Sequence, residues 1–238
     1  MSRRTTLALA IAPAATIALA LQPAVAPARA RTPAATAASA APTTVNVRVE
    51  GLRRTLLSST RVRTRGGWIT RGGAPRGSCP AAGAAGALDL ATRHDWVGSY
   101  QSFGLSVVSI LGERHTFSSP DYWSIFVNGR YASAGICDLR LTRGEQLLFA
   151  AVPDKGNAYP ILLSAPRRVV AGHAFDVSAR YYGARGGARP LAGVKVSGGA
   201  VTNARGVATV TLRRSGRVRL TASRARYIRA EATVAVGS

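Results

Sequence analysis

Tyr122-Trp123-Ser124-Ile125-Phe126-Val127-Asn128-Gly129-Arg130-Tyr131-Ala132 is the stretch whose reading decides the fold. Aromatic and β-branched residues crowd its first half, which suits a pleated strand. Asn128-Gly129 then supplies the two residues that tolerate positive φ in a type I′ turn, and Arg130-Tyr131-Ala132 returns as the partner strand. Side chains alternate along a strand, so Trp123, Ile125 and Val127 share one face while Tyr122, Ser124 and Phe126 share the other. The first set is purely apolar and is expected to pack against a helix that carries Leu88. The second set is expected to lie open, joined by Tyr131, with Arg130 and Arg140 nearby. Tyr122, Phe126, Tyr131, Arg130 and Arg140 therefore form the candidate ligand face, suited to an anionic or sugar-acid ligand through charge-assisted hydrogen bonds. The competing reading is that loop 65–78 or the C-terminal strands cover it.

Working outward from the hairpin, Val45, Val47 and Val49 alternate with Asn46, Arg48 and Glu50 as a half-buried strand, and Arg61 to Thr64 reads as a second. Pro80 to Thr92 is expected to be helical. Ala84, Leu88 and Ala91 share a face there and Pro80 suits a first turn, although Gly83 and Gly86 interrupt the pattern. Leu105 to Leu111 is a strand, and Leu139-Arg140-Leu141, a Thr142–Glu145 turn and Gln146 to Val152 read as another hairpin. Strand, strand, helix and strands in that order indicate an α+β roll. Turn formers from Pro153 to Pro160 mark a boundary. Beyond it come only short strands: Ile161–Leu163, Ala174–Tyr181, Val194–Val196, Val207–Leu212, Val218–Ala222 and Ala232–Val236. Turn clusters separate them, as in a β-sandwich.

The N-terminus carries Arg3 and Arg4, an apolar run from Leu7 to Leu21 broken by Pro13, and small-x-small sites at Ala24-Val25-Ala26 and Ala28-Arg29-Ala30. That is the pattern of a cleavable secretory signal, assigned to residues 1–30, and the run is too short to span a bilayer. Arg31 to Thr43, rich in Ala, Pro and Thr, is a disordered linker. The mature protein is expected to be secreted, with no integral membrane segment and no lipid anchor. An even pair of cysteines in an oxidising compartment, Cys79 and Cys137, reads as a disulfide.

The formal charge is +22, and removing residues 1–30, with three arginines and no acid, leaves +19. Such a field attracts any polyanion, and an anionic cell-envelope polymer is the expected partner. A nucleic-acid partner is not expected, because the arginines are spread along the chain and no nucleic-acid-binding motif accompanies them. No metal-ligand cluster, nucleophile elbow or phosphate loop is legible, and Glu113 with Asp121 forms only a non-specific carboxylate pair. The chain is read as non-enzymatic and without a cofactor.

Val45 to Leu52, Cys79-Pro80 to Leu88, Tyr122 to Gly129, Gly135-Ile136-Cys137 and Leu141 to Glu145 together resemble the transcobalamin-like C-terminal domain of actinobacterial exported proteins. That resemblance implies a β-grasp-type fold for residues 44–154. Ala192 to Val196 and Thr202 to Ala208 resemble bacterial immunoglobulin-like surface domains, which implies a sandwich for 158–238. The first resemblance also implies soluble-ligand binding, with cobalamin the ligand of transcobalamins. Those proteins bury the corrinoid against a large helical barrel that this chain does not encode. The functional expectation is therefore a secreted binding or cell-envelope interaction protein that takes an envelope polymer, an unknown small ligand or a protein. Corrinoid-like small-molecule capture is the alternative.

Overall fold

A computed structural model of the chain describes residues 41–116, 118–155, 158–183 and 186–238. The expected signal at 1–30 and all but the end of the expected linker lie outside the described residues. The described part is β-rich, with one α-helix and eighteen strands. No helix among the described residues is long and apolar enough to cross a membrane.

The first segment runs β1 Thr44–Glu50, β2 Thr55–Arg63, α1 Ala84–Ala91, β3 Trp96–Gln101, β4 Gly104–Ile110, β5 Glu113–Arg114, β6 Asp121–Val127, β7 Arg130–Tyr131 and β8 Gln146–Pro153. Its main sheet has the order β2-β1-β8-β6-β7, with β1 parallel to β8 and the other pairs antiparallel. Strands β3, β4 and β5 form a separate antiparallel sheet. The β6–β7 turn forms as its sequence dictates, with Asn128 at φ 50° and Gly129 at φ 79°. The hairpin expected between Leu139–Leu141 and β8 does not form. Both edges of β8 are occupied, by β1 and by β6, so 139–141 runs as a loop whose Leu139 carbonyl instead accepts from Ala84 N–H at the helix start.

The helix begins at Ala84, four residues later than expected, because Pro80 pairs with Trp68 as an isolated bridge. It is buried almost all round, through Ala84 to Asp89 and Ala91. Gly86 is required there: a Cβ would overlap the Ala81 carbonyl. Asp89 anchors the helix end by accepting from Arg71 Nε at 2.8 Å and Trp96 Nε1 at 2.9 Å, with His94 Nδ1 at 2.7 Å. The disulfide joins Cys79 to Cys137, Cα atoms 4.4 Å apart, and ties the approach to the helix to the segment after the hairpin. Val45, Val47, Val49, Leu88, Trp123, Leu147 and Phe149 are buried with it in the first core.

The second segment contains β9 Tyr159–Pro160, β10 Leu162–Ser164, β11 Arg168–Val170, β12 Ala174–Tyr182, β13 Ala188–Pro190, β14 Lys195–Val196, β15 Val207–Thr211, β16 Gly216–Ser223, β17 Tyr227–Ile228 and β18 Ala230–Gly237. One sheet joins β10, β12, β13 and β15, and another has the order β11-β18-β16-β14. Val177, Val196, Val210, Leu220, Val234 and Val236 are buried in a core of their own. Strand β13, read from sequence as part of a turn cluster, pairs with β12.

The two segments meet through packed side chains and a buried charge network. Phe126, Leu148, Ala150 and Val152 on the second face of the main sheet pack with Ile228. The parallel pairing of β17 with β9 brings Arg229 to the end of β1. Its Nε donates to Glu50 Oε2 at 3.0 Å and its terminal nitrogens to the Gly51 and Leu52 carbonyls at 2.6 and 3.2 Å. Glu50, 1 % exposed, also accepts from Arg48 at 3.1 Å and Thr55 Oγ1 at 2.9 Å. Burial is the largest influence on both members of the Arg48–Glu50 pair, raising the Glu50 pKa and lowering that of Arg48 against their mutual attraction.

Arg229→Ala leaves the Glu50 carboxylate underpaired in a dry site and should destabilise the chain by about 3 kcal/mol in denaturant unfolding. Gly86→Ala should cost more than the gain of about 1 kcal/mol that alanine brings to an ordinary helix interior, so a stabilised variant would refute the close approach at Ala81.

Candidate ligand-binding clefts

Strand β3 was not anticipated from sequence, and its hairpin with β4 creates an apolar concavity. A cleft of about 510 Å³ lies between that hairpin, β6 and the segment 131–138. Val97, Leu105, Val107, Trp123, Ile125 and Ile136 supply its apolar lining, with Phe103 at the hairpin tip. Among the described residues seven large apolar side chains are exposed, and four of them line this one cleft: Val97, Phe103, Tyr122 and Tyr131. Trp123 Nε1, buried at its wall, has no hydrogen-bond partner.

His115 also lines the cleft, yet it is 5 % exposed and edge-on to Trp123, ring centroids 5.1 Å apart. Its Nε2 meets Glu113 Oε1 at 2.9 Å and its Nδ1 meets Asp121 Oδ1. The Glu113 and Asp121 carboxylates are thus brought to one place, but each is turned on an imidazole nitrogen. Glu113 Oε1 additionally accepts from Leu52 N–H at 2.8 Å. This cluster fastens β4–β5 to β6. Among the described residues no group of three or more His, Cys, Asp or Glu side chains is placed to hold a metal ion.

A second cleft, of about 340 Å³, sits at the junction of the two segments, where Tyr122, Phe126 and Tyr131 face Tyr159 and Tyr182. Tyr122, Ser124 and Tyr131 line both clefts and form the ridge between them. A third concavity, about 550 Å³, borders Arg226 to Arg229 and carries only Leu52 among the exposed apolar side chains.

The expected open aromatic face is divided. Phe126 is not open: it is 2 % exposed, edge-on to Tyr131 at 5.4 Å, and packed in the cluster that contains Ile228. The covering element is the second segment, the alternative that alternation along one strand cannot exclude. Tyr122 is 37 % exposed and Tyr131 63 %. Partial burial, foremost, raises the Tyr122 pKa, and the neighbouring Tyr131 phenol adds to it. A phenol shifted upward stays a neutral donor at neutral pH. Arg130 is engaged in part: its guanidinium lies 3.8 Å over the Tyr182 ring and Nη1 donates to the Gly186 carbonyl at 2.8 Å. Arg140 is exposed and lines neither cleft.

Sequence reasoning missed Val97, Phe103, Leu105 and His115 as neighbours of the hairpin. Trp96 to Gln101 carries only a short aromatic pattern, and Gly104, at φ 113°, is the clearest local sign of a hairpin exit.

No family model matches the chain, and no curated protein sequence matches it. Solved structures similar to the chain include the following two, both at low TM-score. Haptocorrin in complex with Cbi is 18 % identical, with a TM-score of 0.37, over 48 % of this chain and 25 % of its own length. A structure described as that of a candidate metal-binding protein from Ruminococcus gnavus ATCC 29149 is 11 % identical, with a TM-score of 0.34, over 47 % of this chain and 97 % of its own. The similar part therefore spans about a quarter of haptocorrin.

Removing the two aromatic rings of the divided face should have unequal cost. Phe126→Ala should destabilise by about 3–5 kcal/mol as a core deletion, whereas Tyr122→Ser should stay near 1 kcal/mol. Equal losses in denaturant unfolding would contradict the division.

Proposed function

We propose that the chain is an exported protein that works by binding rather than catalysis, and that its ligand site is the cleft between the β3–β4 hairpin and β6. In this reading residues 1–30 are a cleaved signal and 31–43 a linker. Residues 44–154 are the β-grasp-type binding unit, and 158–238 an immunoglobulin-like sandwich that braces the back of its sheet. The observation that carries the proposal is the gathering of four exposed apolar side chains on a single concavity. Water contact at Phe103, Tyr131 and Val97 is relieved when an apolar or aromatic ligand fills the cleft.

The polar groups at hand favour a ligand of low charge. Arg114 and Asp138 line it with opposite charges, His115 has a carboxylate on each ring nitrogen, and Tyr122 offers a neutral hydroxyl. Those same occupied nitrogens argue for binding over acid–base chemistry, which needs a nitrogen free to meet substrate. A small apolar molecule suits this lining better than an anionic polymer does.

Nile red, a neutral dye, tests the cleft without being drawn by the net charge. The wild type should bind it saturably at one site, and Phe103→Ser with Tyr131→Ser should weaken binding about tenfold, the loss expected for about 1.4 kcal/mol of apolar contact, with unchanged melting. Unaltered affinity in that variant would rule the cleft out. Displacement of the dye by a free corrinoid would instead favour corrinoid-like capture. The mass of protein recovered from the medium should place the mature N-terminus after Ala26 or Ala30, and an intact Met1 there would end the export reading.

A further inference from the structure

The second segment holds fourteen basic residues against two acids, Asp176 and Glu231. Net charge alone names no surface, but the sheet β11-β18-β16-β14 does. Its inner side chains Val169, Val218, Leu220, Val234 and Val236 pack in the second core. Its outer face displays Arg168, Arg217, Arg219 and Lys195, all exposed. Register places them as an array. Arg168 and Arg217 both oppose Ala235, one from each side, so they stand about 10 Å apart across two strand spacings. Arg219 follows Arg217 about 7 Å along the same strand, and Lys195 lies opposite Ser223 further on.

One acid lies on this face, beside Arg219, and among the described residues Arg168, Arg217 and Lys195 have no ion pair. Glu231, the one acid of the sheet, has a side chain only 10 % exposed. It accepts from Ser59 N–H at 2.5 Å and pairs with Arg219 at 3.7 Å, so it offsets one of the four cations and leaves the other three. Beyond Ser59, Arg61 and Arg63 are exposed on β2 and extend the positive charge onto the first segment.

We propose that this outer sheet face is a docking surface for a linear acidic polysaccharide. The residues between the cations, Thr221, Ser223, Thr233 and Ala235, are small and mostly hydroxylated, and they are exposed. Guanidinium forks pair with carboxylates, and the hydroxyls between them match sugar hydroxyls along an extended chain. The face bears no aromatic ring on which a nucleobase could stack. Its exposed large apolar residues are single valines at the two edges, Val170 and Val201 opposite Lys195, too little to wedge into a bilayer. The surface is separate from the apolar cleft, and the proposal stands or falls independently of it.

Polygalacturonate is the probe, with the mature chain assayed by affinity electrophoresis at low and near-physiological salt. The wild type should bind, more weakly as salt rises. Arg168→Ser/Arg217→Ser/Arg219→Ser should lose about tenfold in affinity, from three pairs each contributing modestly. Arg65→Ser/Arg76→Ser/Arg143→Ser removes the same charge from exposed positions of the first segment and should lose far less. Thr233→Glu, which sets an acid opposite Arg219, should weaken binding without touching any arginine. No binding by the wild type overturns the proposal, as does an equal loss in the two triple variants. Face-dependent binding that is tighter to poly(dT), or to phosphatidylglycerol-containing vesicles, than to polygalacturonate would reject the polysaccharide. Loss of Nile red binding with polygalacturonate binding retained would defeat the cleft alone.

Discussion

Strand β8 has no solvent face, and the arrangement of both segments follows from that constraint. Leu147, Phe149 and Ala151 enter the first core, while Leu148, Ala150 and Val152 need cover on the other side. A strand buried on both faces must pair on both edges and be covered by two layers. Its edges go to β1 and β6. The disulfide-linked helix layer covers one face, and Ile228 with Phe126 helps close the other. The second segment is thus more than a spacer in this fold, because it completes the burial of a sheet that the first segment leaves half bare.

The charge network at Glu50 gives that docking a unique register. Apolar contacts at Ile228 would tolerate sliding, but Arg229 makes three directed bonds, to one carboxylate oxygen and two successive carbonyls. A buried ion pair of this kind adds little net stability, since desolvation offsets the attraction, but any misplacement leaves a bare charge in a dry site. Specificity is the natural return for that cost.

The position of the apolar cleft is a consequence of where this cover stops. The second segment encloses Phe126, reaches Tyr131 only at one edge and leaves Tyr122 at the rim. Past that ridge the sheet meets the β3–β4 hairpin, whose tip residue Phe103 remains in water. His115, held by Glu113 and Asp121, fastens the hairpin side to β6.

The β6–β7 hairpin was legible because Asn128-Gly129 is a local steric solution that needs no partner, and the β1 strand because Val45, Val47 and Val49 alternate. The cysteine pairing followed from an even count in a chain read as exported. The run Leu147 to Val152 already carried the sign of burial on both faces in its lack of alternation. What covers each face was not written there. Whether Phe126 is core or surface depends on Ile228, about a hundred residues away, and whether Arg130 is free depends on Tyr182 and Gly186. Period and turn chemistry are properties of neighbouring residues and can be read along the chain. Cover, charge pairing and the cleft itself arise from side chains that only the tertiary structure brings within bonding distance.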